Sequence, residues 1–417
     1  MHYTESSQAT KWQLSSQYEL NSLRERANRR ARDVLAQDNE ISADGDVKME
    51  DATTISTPCQ VYGFADTRGD KPKLTNVDED NNAQLLQESD SQYGPTNTSK
   101  SRGNNPLLTP TDEASLISFY CSKIPLLIGP HATLSRCKRD AKVSATACLL
   151  FRRFYLSNSV MMFDPKCLLA ASAFLATKVE DCMISINYIE LGTKEMNAPV
   201  PINDILDAEM KLIEGIDFDL LVFSPYKTIL SYTEDLRIFL KTKRGKGLIS
   251  FPAGSEQRQL VGEDLRPALD AAIKICDDVI VSDIPLRFAP GEVGLAALMV
   301  ANEYVSSNTG KEDEGSADSS PQIDIMGYIR LRFQDSSDAD VKVDSTAIEE
   351  VTQRISKLGE MIRELKEGKH GCANYGVDMN DLKALNKKLK KCRAWGIADK
   401  KEKKKSKKDK KKRKAET

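Results

Sequence analysis

The sequence aligns with itself, without a gap, when it is shifted by 125 residues. Under this shift residues 147–181 lie over residues 272–306. The two segments agree better in the positions of their apolar residues than in identity, and FDP at 163–165 lies over FAP at 288–290. Self-similarity of this kind indicates one structural unit that is present twice. The chain is therefore predicted to contain two tandem copies of a helical unit.

The first copy contains a helix with clear start signals and no polar face. Asp164 is a natural N-cap and Pro165 occupies the first helical position, where a missing N–H has no cost. Residues 167–179 are apolar almost all the way round, which predicts a helix at the centre of an all-α domain. Lys178 lies at the end of this helix, so its ammonium must reach solvent or meet a partner.

A second charge occupies an inward stripe of the same domain. Glu209 lies four residues after Ile205 and three before Leu212, within the apolar face of a predicted helix at 203–216. One interpretation is that Lys178 and Glu209 are peripheral residues on broad helices. The other is that they meet each other, or a partner, at one edge of the domain, because half-buried charges are costly unless paired. In the second copy Glu303 replaces Lys178, so the charge is reversed.

The helical pattern predicts an all-α fold with boundaries set by changes in composition. Residues 106–221 form the first domain, with helices predicted at 111–128, 139–156, 164–180, 185–191 and 203–216. Residues 222–368 form the second domain, and 369–396 carry a C-terminal helix. Residues 37–105 are predicted to be a disordered insertion, since their polar composition cannot bury enough apolar surface to offset ordering entropy. Residues 397–417 are predicted to be a basic, disordered tail.

An amphipathic helix is predicted at 12–36, before the first domain. Ser16 and Glu19 have capping-box spacing, and Leu20, Leu23 and Ala27 form an apolar stripe. Arginines, among them Arg24 and Arg30, lie mostly on the other faces. One interpretation is a helix docked on the body of the protein. The other is a docking helix for a partner, whose carboxylates the arginines would suit.

Composition limits the function classes. The nine cysteines form no CxxC pair, and His370 with Cys372 lacks a second ligand pair, so no metal site is expected. The polar N-terminus does not resemble a signal peptide, and no stretch reaches about 18 apolar residues. The chain has no Gly-rich phosphate loop and no nucleophile–base arrangement, so we expect no enzymatic activity and no cofactor.

The net charge of −2 conceals a strong asymmetry. Residues 400–414 contain twelve Lys or Arg and two acidic residues, which leaves the rest of the chain acidic. Such a run is typical of a nuclear localisation signal or a solvated tail, although it also suits phosphate binding. The predicted localisation residues are Lys403, Lys404, Lys405, Lys410, Lys411, Lys412, Arg413 and Lys414.

The stretch 151–181 resembles the cyclin box, and two consecutive five-helix units are the cyclin architecture. KWQLSS at 11–16, FRRFYLSNSVM at 151–161, FLATKVED at 174–181 and IDFDLLVFSPY at 216–226 are similar to the cyclin H group of that family. The resemblance implies two tandem five-helix cyclin boxes with flanking N- and C-terminal helices. It also implies that Lys178 and Glu209, with Glu180 and Asp181 beside them, contact a kinase. The insertion 37–105, the loops 242–261 and 306–321 and the lysine-rich tail depart from the family pattern.

The resemblance further implies a regulatory subunit in the nucleus. It would bind and activate a cyclin-dependent kinase in the CDK-activating kinase module of transcription factor IIH. That kinase phosphorylates the RNA polymerase II tail and CDK activation loops. The expected partners are the kinase, a RING-type assembly subunit and the core of transcription factor IIH, without a membrane or direct nucleic-acid contact. The alternatives are another transcriptional cyclin of the C, T, K or L type, or a transcription factor IIB-like nucleic-acid binder with the same tandem fold.

Overall fold

The computed structural model describes residues 2–43, 60–65, 107–251, 262–308, 322–335, 345–367 and 379–395. Within these ranges the chain is almost entirely helical. Two short strands, β1 (Ile249–Ser250) and β2 (Gln322–Ile323), pair antiparallel and close one end of the second unit. The predicted all-α fold is confirmed.

The N-terminal region and the first unit contain the following elements. A 3-10 turn (Tyr3–Glu5) and a π-helical turn (Gln8–Trp12) precede the long helix α1 (Gln17–Ala43). The first unit comprises α2 (Pro110–Cys121), α3 (Ile124–Leu127), α4 (Ala141–Ser157), α5 (Pro165–Val179), α6 (Ile186–Glu195) and α7 (Ile202–Gly215).

The second unit and the C-terminal helix follow. They comprise α8 (Pro225–Phe239), α9 (Lys243–Lys246), α10 (Gly262–Ile280), α11 (Ile284–Arg287), α12 (Pro290–Asn308), α13 (Ile325–Asp335), α14 (Ser345–Lys366) and α15 (Met379–Cys392).

Local sequence signals explain most helix starts. Thr109 and Asp112 form a capping box at α2, and the Asp164 carboxylate accepts the Lys166 N–H at the start of α5. Two expected details are wrong. The helix predicted at 111–128 is divided after Cys121, and Pro125 belongs to the short helix α3. The helix predicted at 203–216, α7, begins one residue earlier, at Ile202 after Pro201, so Asn203 lies inside it and is not its N-cap.

The two copies predicted by the 125-residue shift are present in the structure. Pro165 and Pro290, which the shift superimposes, are each the first residue of their helix, α5 and α12. Both helices are central: α5 packs against α4 and α7, and α12 packs against α8, α10 and α14. In α5 every residue from 168 to 177 is buried, as the lack of a polar face predicted.

Part of the predicted insertion is ordered. Phe64 is fully buried, and the main chain of Tyr62 forms hydrogen bonds with the Asn158 side chain. The expectation of disorder for 37–105 is therefore wrong for residues 60–65, because an aromatic anchor offsets their ordering entropy. Helix α1 also extends to Ala43. The remaining residues of that range lie outside the described parts of the chain, as does the tail at 397–417.

Candidate partner-binding surface

Lys178 and Glu209 meet at the edge of the first unit. The Lys178 Nζ lies 2.7 and 2.8 Å from the two carboxylate oxygens of Glu209. The Glu209 side chain is 8% exposed, whereas that of Lys178 is 36% exposed. The pair therefore has one face in the core and one face towards solvent, as the edge interpretation predicted.

The surrounding helices fix this geometry. Glu209 lies on α7 between Ile205 and Leu212, which are both fully buried. This position places its carboxylate against α5. Lys178 lies in the last turn of α5, and its Nζ is 4.2 Å from the ring centroid of Phe174, one turn earlier. The ring and the carboxylate together hold the ammonium in place by cation–π and ionic contacts.

Large apolar side chains are exposed along the same helix and just beyond it. Leu206 and Met210, one turn apart on α7, are 43% and 68% exposed, and Phe218 after the end of α7 is 72% exposed. Met183, after the end of α5, is 68% exposed. Leu206 and Met210 are neighbours on one helix face, and neighbouring exposed apolar side chains mark an interaction site more often than single ones do. We refer to Lys178, Glu209, Leu206, Met210 and Phe218 as the α5–α7 surface.

Phe218 is presented by a constrained turn that sequence reasoning missed. Asp217 and Phe218 both have left-handed backbone conformations, with φ of 53° and 59°. Lys11 donates to the carboxylates of Asp217 and Asp219 at 2.9 and 2.8 Å, and these contacts hold the turn. Strained backbone that displays an exposed aromatic ring is a feature of functional sites. The signal in the sequence was the IDF run directly after an apolar helix.

Glu180 and Asp181 differ in their surroundings. Glu180 accepts a hydrogen bond from the Thr146 hydroxyl at 2.6 Å and lies 3.3 Å from the Lys142 ammonium, so it is engaged with α4. Asp181 is exposed, in a left-handed conformation. Its predicted contact with a kinase stays a prediction, and Glu180 would need to leave its intramolecular contacts to make one.

The predicted docking helix lies against its own chain. Leu20, Leu23 and Ala27 are buried in the core. Arg24 forms a 2.7 Å ion pair with Asp283, and Arg30 donates to the Ser157 carbonyl at 3.0 Å. These five residues therefore contact the body, as the first of the two interpretations of this helix predicted. The prediction that α1 binds a partner therefore remains only for the residues on its solvent-facing side.

The equivalent charges in the second unit also pair, with their signs exchanged. Glu303 of α12 lies 2.8 Å from a guanidinium nitrogen of Arg363 on α14. In each unit, therefore, the last part of the central helix carries one charge and the unit's last helix carries the opposite one. Only the first unit has the lysine on the central helix.

Two adjacent arginines of α4, both about 1–2% exposed, join the units. Arg152 contacts the Asp283 carboxylate and the Val281 carbonyl of the second unit. Arg153 donates to the carbonyls of Asp219 and Leu221 at 3.3 and 3.2 Å, in residues 216–224, the linker between α7 and α8. Burial lowers the pKa of Arg153 to about 10, so it is still charged at neutral pH.

Other site types are not formed by the described residues. In those ranges no group of three or more potential metal ligands comes together. No described helix combines the length and apolarity needed to cross a membrane. The predicted localisation residues, from Lys403 to Lys414, lie outside the described parts of the chain.

The described residues form two tandem units with five helices of ten or more residues each, and the first unit carries a charged and apolar surface suited to binding another protein. No family model matches the sequence. The chain is 26% identical to Cyclin-H1-1 of Arabidopsis thaliana over 287 residues, which cover 68% of both proteins. It is 29% identical to Cyclin CCL1 of Saccharomyces cerevisiae over 196 residues, which cover 47% of this chain and less than half of that protein, 43%.

The fold of the chain is also similar to that of a solved structure. The chain superimposes on a chain of the CAK complex from Chaetomium thermophilum bound to ATP-γ-S with a TM-score of 0.57 and 22% identity. The superposition covers 94% of this chain and 88% of the other. The chain is therefore similar to cyclins of the H type, as the sequence motifs predicted.

Proposed function

We propose that this chain is a regulatory cyclin that binds and activates a cyclin-dependent kinase within the CDK-activating kinase module of transcription factor IIH. The observation that carries the proposal is the α5–α7 surface, which combines the paired Lys178 and Glu209 with exposed Leu206 and Met210 on the helix of Glu209 and exposed Phe218 after its end. The similarity to cyclins of the H type supports the same function.

The proposed mechanism is selection of the active kinase conformer. A kinase transfers phosphate only when its own lysine–glutamate pair is formed, and a movable helix controls that pair. A rigid surface that binds only the active arrangement shifts the population towards it by its differential affinity. The bidentate contact fixes Lys178, and the buried ring of Phe174 supports its ammonium, so the surface needs little ordering on binding. In this proposal the chain itself is non-catalytic and needs no cofactor.

The other partners follow from the proposed module. They are a RING-type assembly subunit and the core of transcription factor IIH, and the products are phosphorylated RNA polymerase II tail and CDK activation loops. The basic run at 400–414 supports a nuclear location, because such runs serve as localisation signals. In this proposal the chain makes no direct contact with nucleic acid or a membrane.

The test is to copurify the tagged chain with its kinase and to compare matched variants. Met210→Ala and Phe218→Ala each remove an exposed apolar side chain from the α5–α7 surface. We expect kinase affinity to fall by about tenfold or more, as for central interface residues, with an unchanged melting temperature. Leu230→Ala is the matched control, because Leu230 is 50% exposed on α8 of the second unit. Equal losses for all three variants would argue against this surface.

The same preparation separates the alternatives. Identification of the bound kinase distinguishes the H type from the C, T, K or L types, which pair with different kinases. A transcription factor IIB-like function would instead give salt-sensitive DNA binding that is lost on deleting residues 400–417, with no kinase present.

A further inference from the structure

Residues 60–65 (QVYGFA) occupy a groove formed by four parts of the protein. These are the turn that ends at Trp12, helix α1, the connector between α4 and α5, and the turn after α7. Asn158 of the connector forms hydrogen bonds with both main-chain groups of Tyr62. It accepts the N–H at 3.0 Å and donates to the carbonyl at 2.9 Å. A side-chain amide that binds the N–H and the carbonyl of one residue in this way recognises backbone independently of sequence.

Two aromatic side chains anchor the segment. Phe64 is fully buried and stacks on Trp12, with ring centroids 4.4 Å apart and an interplanar angle of 26°. The Tyr62 ring lies under the guanidinium of Arg30, 4.3 Å from its centre. The Ala65 N–H donates to the Asp217 carboxylate at 3.0 Å. Rigid aromatic anchors combined with main-chain hydrogen bonds are the means by which proteins bind short peptides.

The groove continues beyond the segment. A cleft beside Gln60 and Tyr62 is lined by apolar side chains that include Ala31, Val34 and Met162. Ser157, which is 1% exposed, also lines it, and its hydroxyl has no hydrogen-bond partner among the described residues. A buried polar group without a partner is costly, which is an independent sign that the groove accepts a ligand larger than residues 60–65 alone.

We propose that this groove is a binding site for short peptides with an aromatic–glycine–aromatic pattern, and that residues 60–65 fill it in cis. Residues 44–59 and 66–106 connect the segment to the rest of the described protein. The segment therefore corresponds to a ligand that is covalently tethered to its own binding site. The groove provides the specificity, through Trp12 for the second aromatic ring, Arg30 for the first, and Asn158 for the main chain of the first aromatic residue. A partner that carries the same pattern displaces the segment.

The test replaces residues 60–65 with Gly-Ser-Gly-Ser-Gly-Ser in the full chain, which empties the groove and keeps the length of the chain. A dye-labelled peptide, QVYGFA with blocked ends, is titrated and followed by fluorescence anisotropy. We expect saturable binding to the replaced chain and binding at least about tenfold weaker to the natural chain, since a tethered segment acts at roughly millimolar effective concentration. A peptide with alanine in place of its phenylalanine is expected to lose binding.

Two comparisons keep the result decisive. Asn158→Asp in the replaced chain removes the donor to the peptide carbonyl and is expected to weaken binding severalfold. Tyr62→Ala with Phe64→Ala in the natural chain frees the groove without altering the backbone, in case the replaced chain fails to fold. Equal binding to the natural and emptied chains overturns the proposal, as does no binding to an emptied chain with an unchanged melting curve. Unfolding of both emptied chains also overturns it, because the segment is then part of the core.

Discussion

Arg152 and Arg153 are neighbours in α4, yet they stabilise two different contacts of that helix. Successive residues of a helix point about 100° apart, so one guanidinium reaches the second unit and the other reaches the linker. Buried charges are stabilising only when their partners are well placed. Asp283 also pairs with Arg24 of α1, so a single carboxylate contacts the N-terminal helix and the first unit.

Loss of the Arg152 guanidinium should destabilise the protein strongly. Arg152→Ala leaves the Asp283 carboxylate with one cation fewer and the Val281 carbonyl without its donor. We expect the free energy of unfolding to fall by about 3–5 kcal/mol, as measured by urea denaturation followed by circular dichroism. Arg237→Ala is the control: its partner Glu234 is exposed, so the change should stay within about 1 kcal/mol. Similar values for both variants would contradict a structural role for Arg152.

The same carboxylate should make stability depend on acid pH. Burial alone would raise the pKa of Asp283, but Arg24 and Arg152 hold it below its ordinary value of 3.8. A depressed folded-state pKa gives stability that is present above the unfolded-state value and is lost as the pH falls through the folded-state value. The stability advantage of the natural chain over Asp283→Asn should therefore be full at pH 7 and 5 and shrink below about pH 4. Melting curves at pH 7, 5, 4 and 3 test this, and an advantage that grows on acidification would be inconsistent with it.

Single residues were predictable from sequence where periodicity constrained them. Lys178 and Glu209 stood out because each interrupts or borders an apolar stripe, and their pairing is observed. Arg152 and Arg153 were not predicted to be buried, because a charged pair in sequence normally indicates a solvated face. Their partners lie 66 to 131 residues away, and no local pattern encodes such contacts.

At the scale of elements, each unit contains an ion pair between two of its helices, and the charges are exchanged between the two units. Lys178 of α5 pairs with Glu209 of α7, whereas Glu303 of α12 pairs with Arg363 of α14. Each pair ties a central helix to the last helix of its unit. The presence of an ion pair therefore does not distinguish the two units. The units differ in the sign of the charge that the central helix carries.

Exchange of the first pair separates the structural role from recognition. Lys178→Glu places two carboxylates together and should lower the melting temperature, and adding Glu209→Lys should restore the pair and the melting temperature. If the proposed function is right, the double variant will still bind the kinase poorly, because its surface charges are reversed. Glu303→Arg with Arg363→Glu is the matched control and should leave kinase binding unchanged. Thermal melts and biolayer interferometry provide the two readouts. A double variant that regains full kinase affinity would show that only the pairing matters.

Elements were predictable where apolar spacing is regular. The 125-residue shift located α5 and α12 to the residue, because Pro165 and Pro290 both begin a helix. The break between α2 and α3 was missed, since the apolar pattern continues across it. The ordered residues 60–65 were also missed. Six residues within a polar range carry no period, and Phe64 is buried by Trp12, 52 positions earlier, and not by its neighbours.

At the scale of the whole molecule, the N-terminal region forms hydrogen bonds that hold the two units together. Gln8 forms two side-chain hydrogen bonds with the main chain of Phe223 in the linker, and the Leu14 N–H donates to the Leu286 carbonyl of the second unit at 2.8 Å. Helix α15 returns to the first unit, where Lys388 pairs with Asp112 at 2.6 Å. Segments far apart in sequence therefore bind the two units into one body.

Removal of residues 2–14 should uncouple the two units. The deletion exposes surface that Trp12 and Leu14, both 1% exposed, now cover, and burying such a side chain contributes about 2 kcal/mol. It also removes the Leu14–Leu286 hydrogen bond and the Lys11 contacts that hold the turn at 217–219. Scanning calorimetry should show one transition for the natural chain and two for the shortened chain, because each unit has its own central helix. Deletion of residues 396–417, which lie outside the described ranges, is the control and should leave one transition. A single transition at slightly lower temperature for the 2–14 deletion would mean that Arg152 and Asp283 couple the units without help from the N-terminal region.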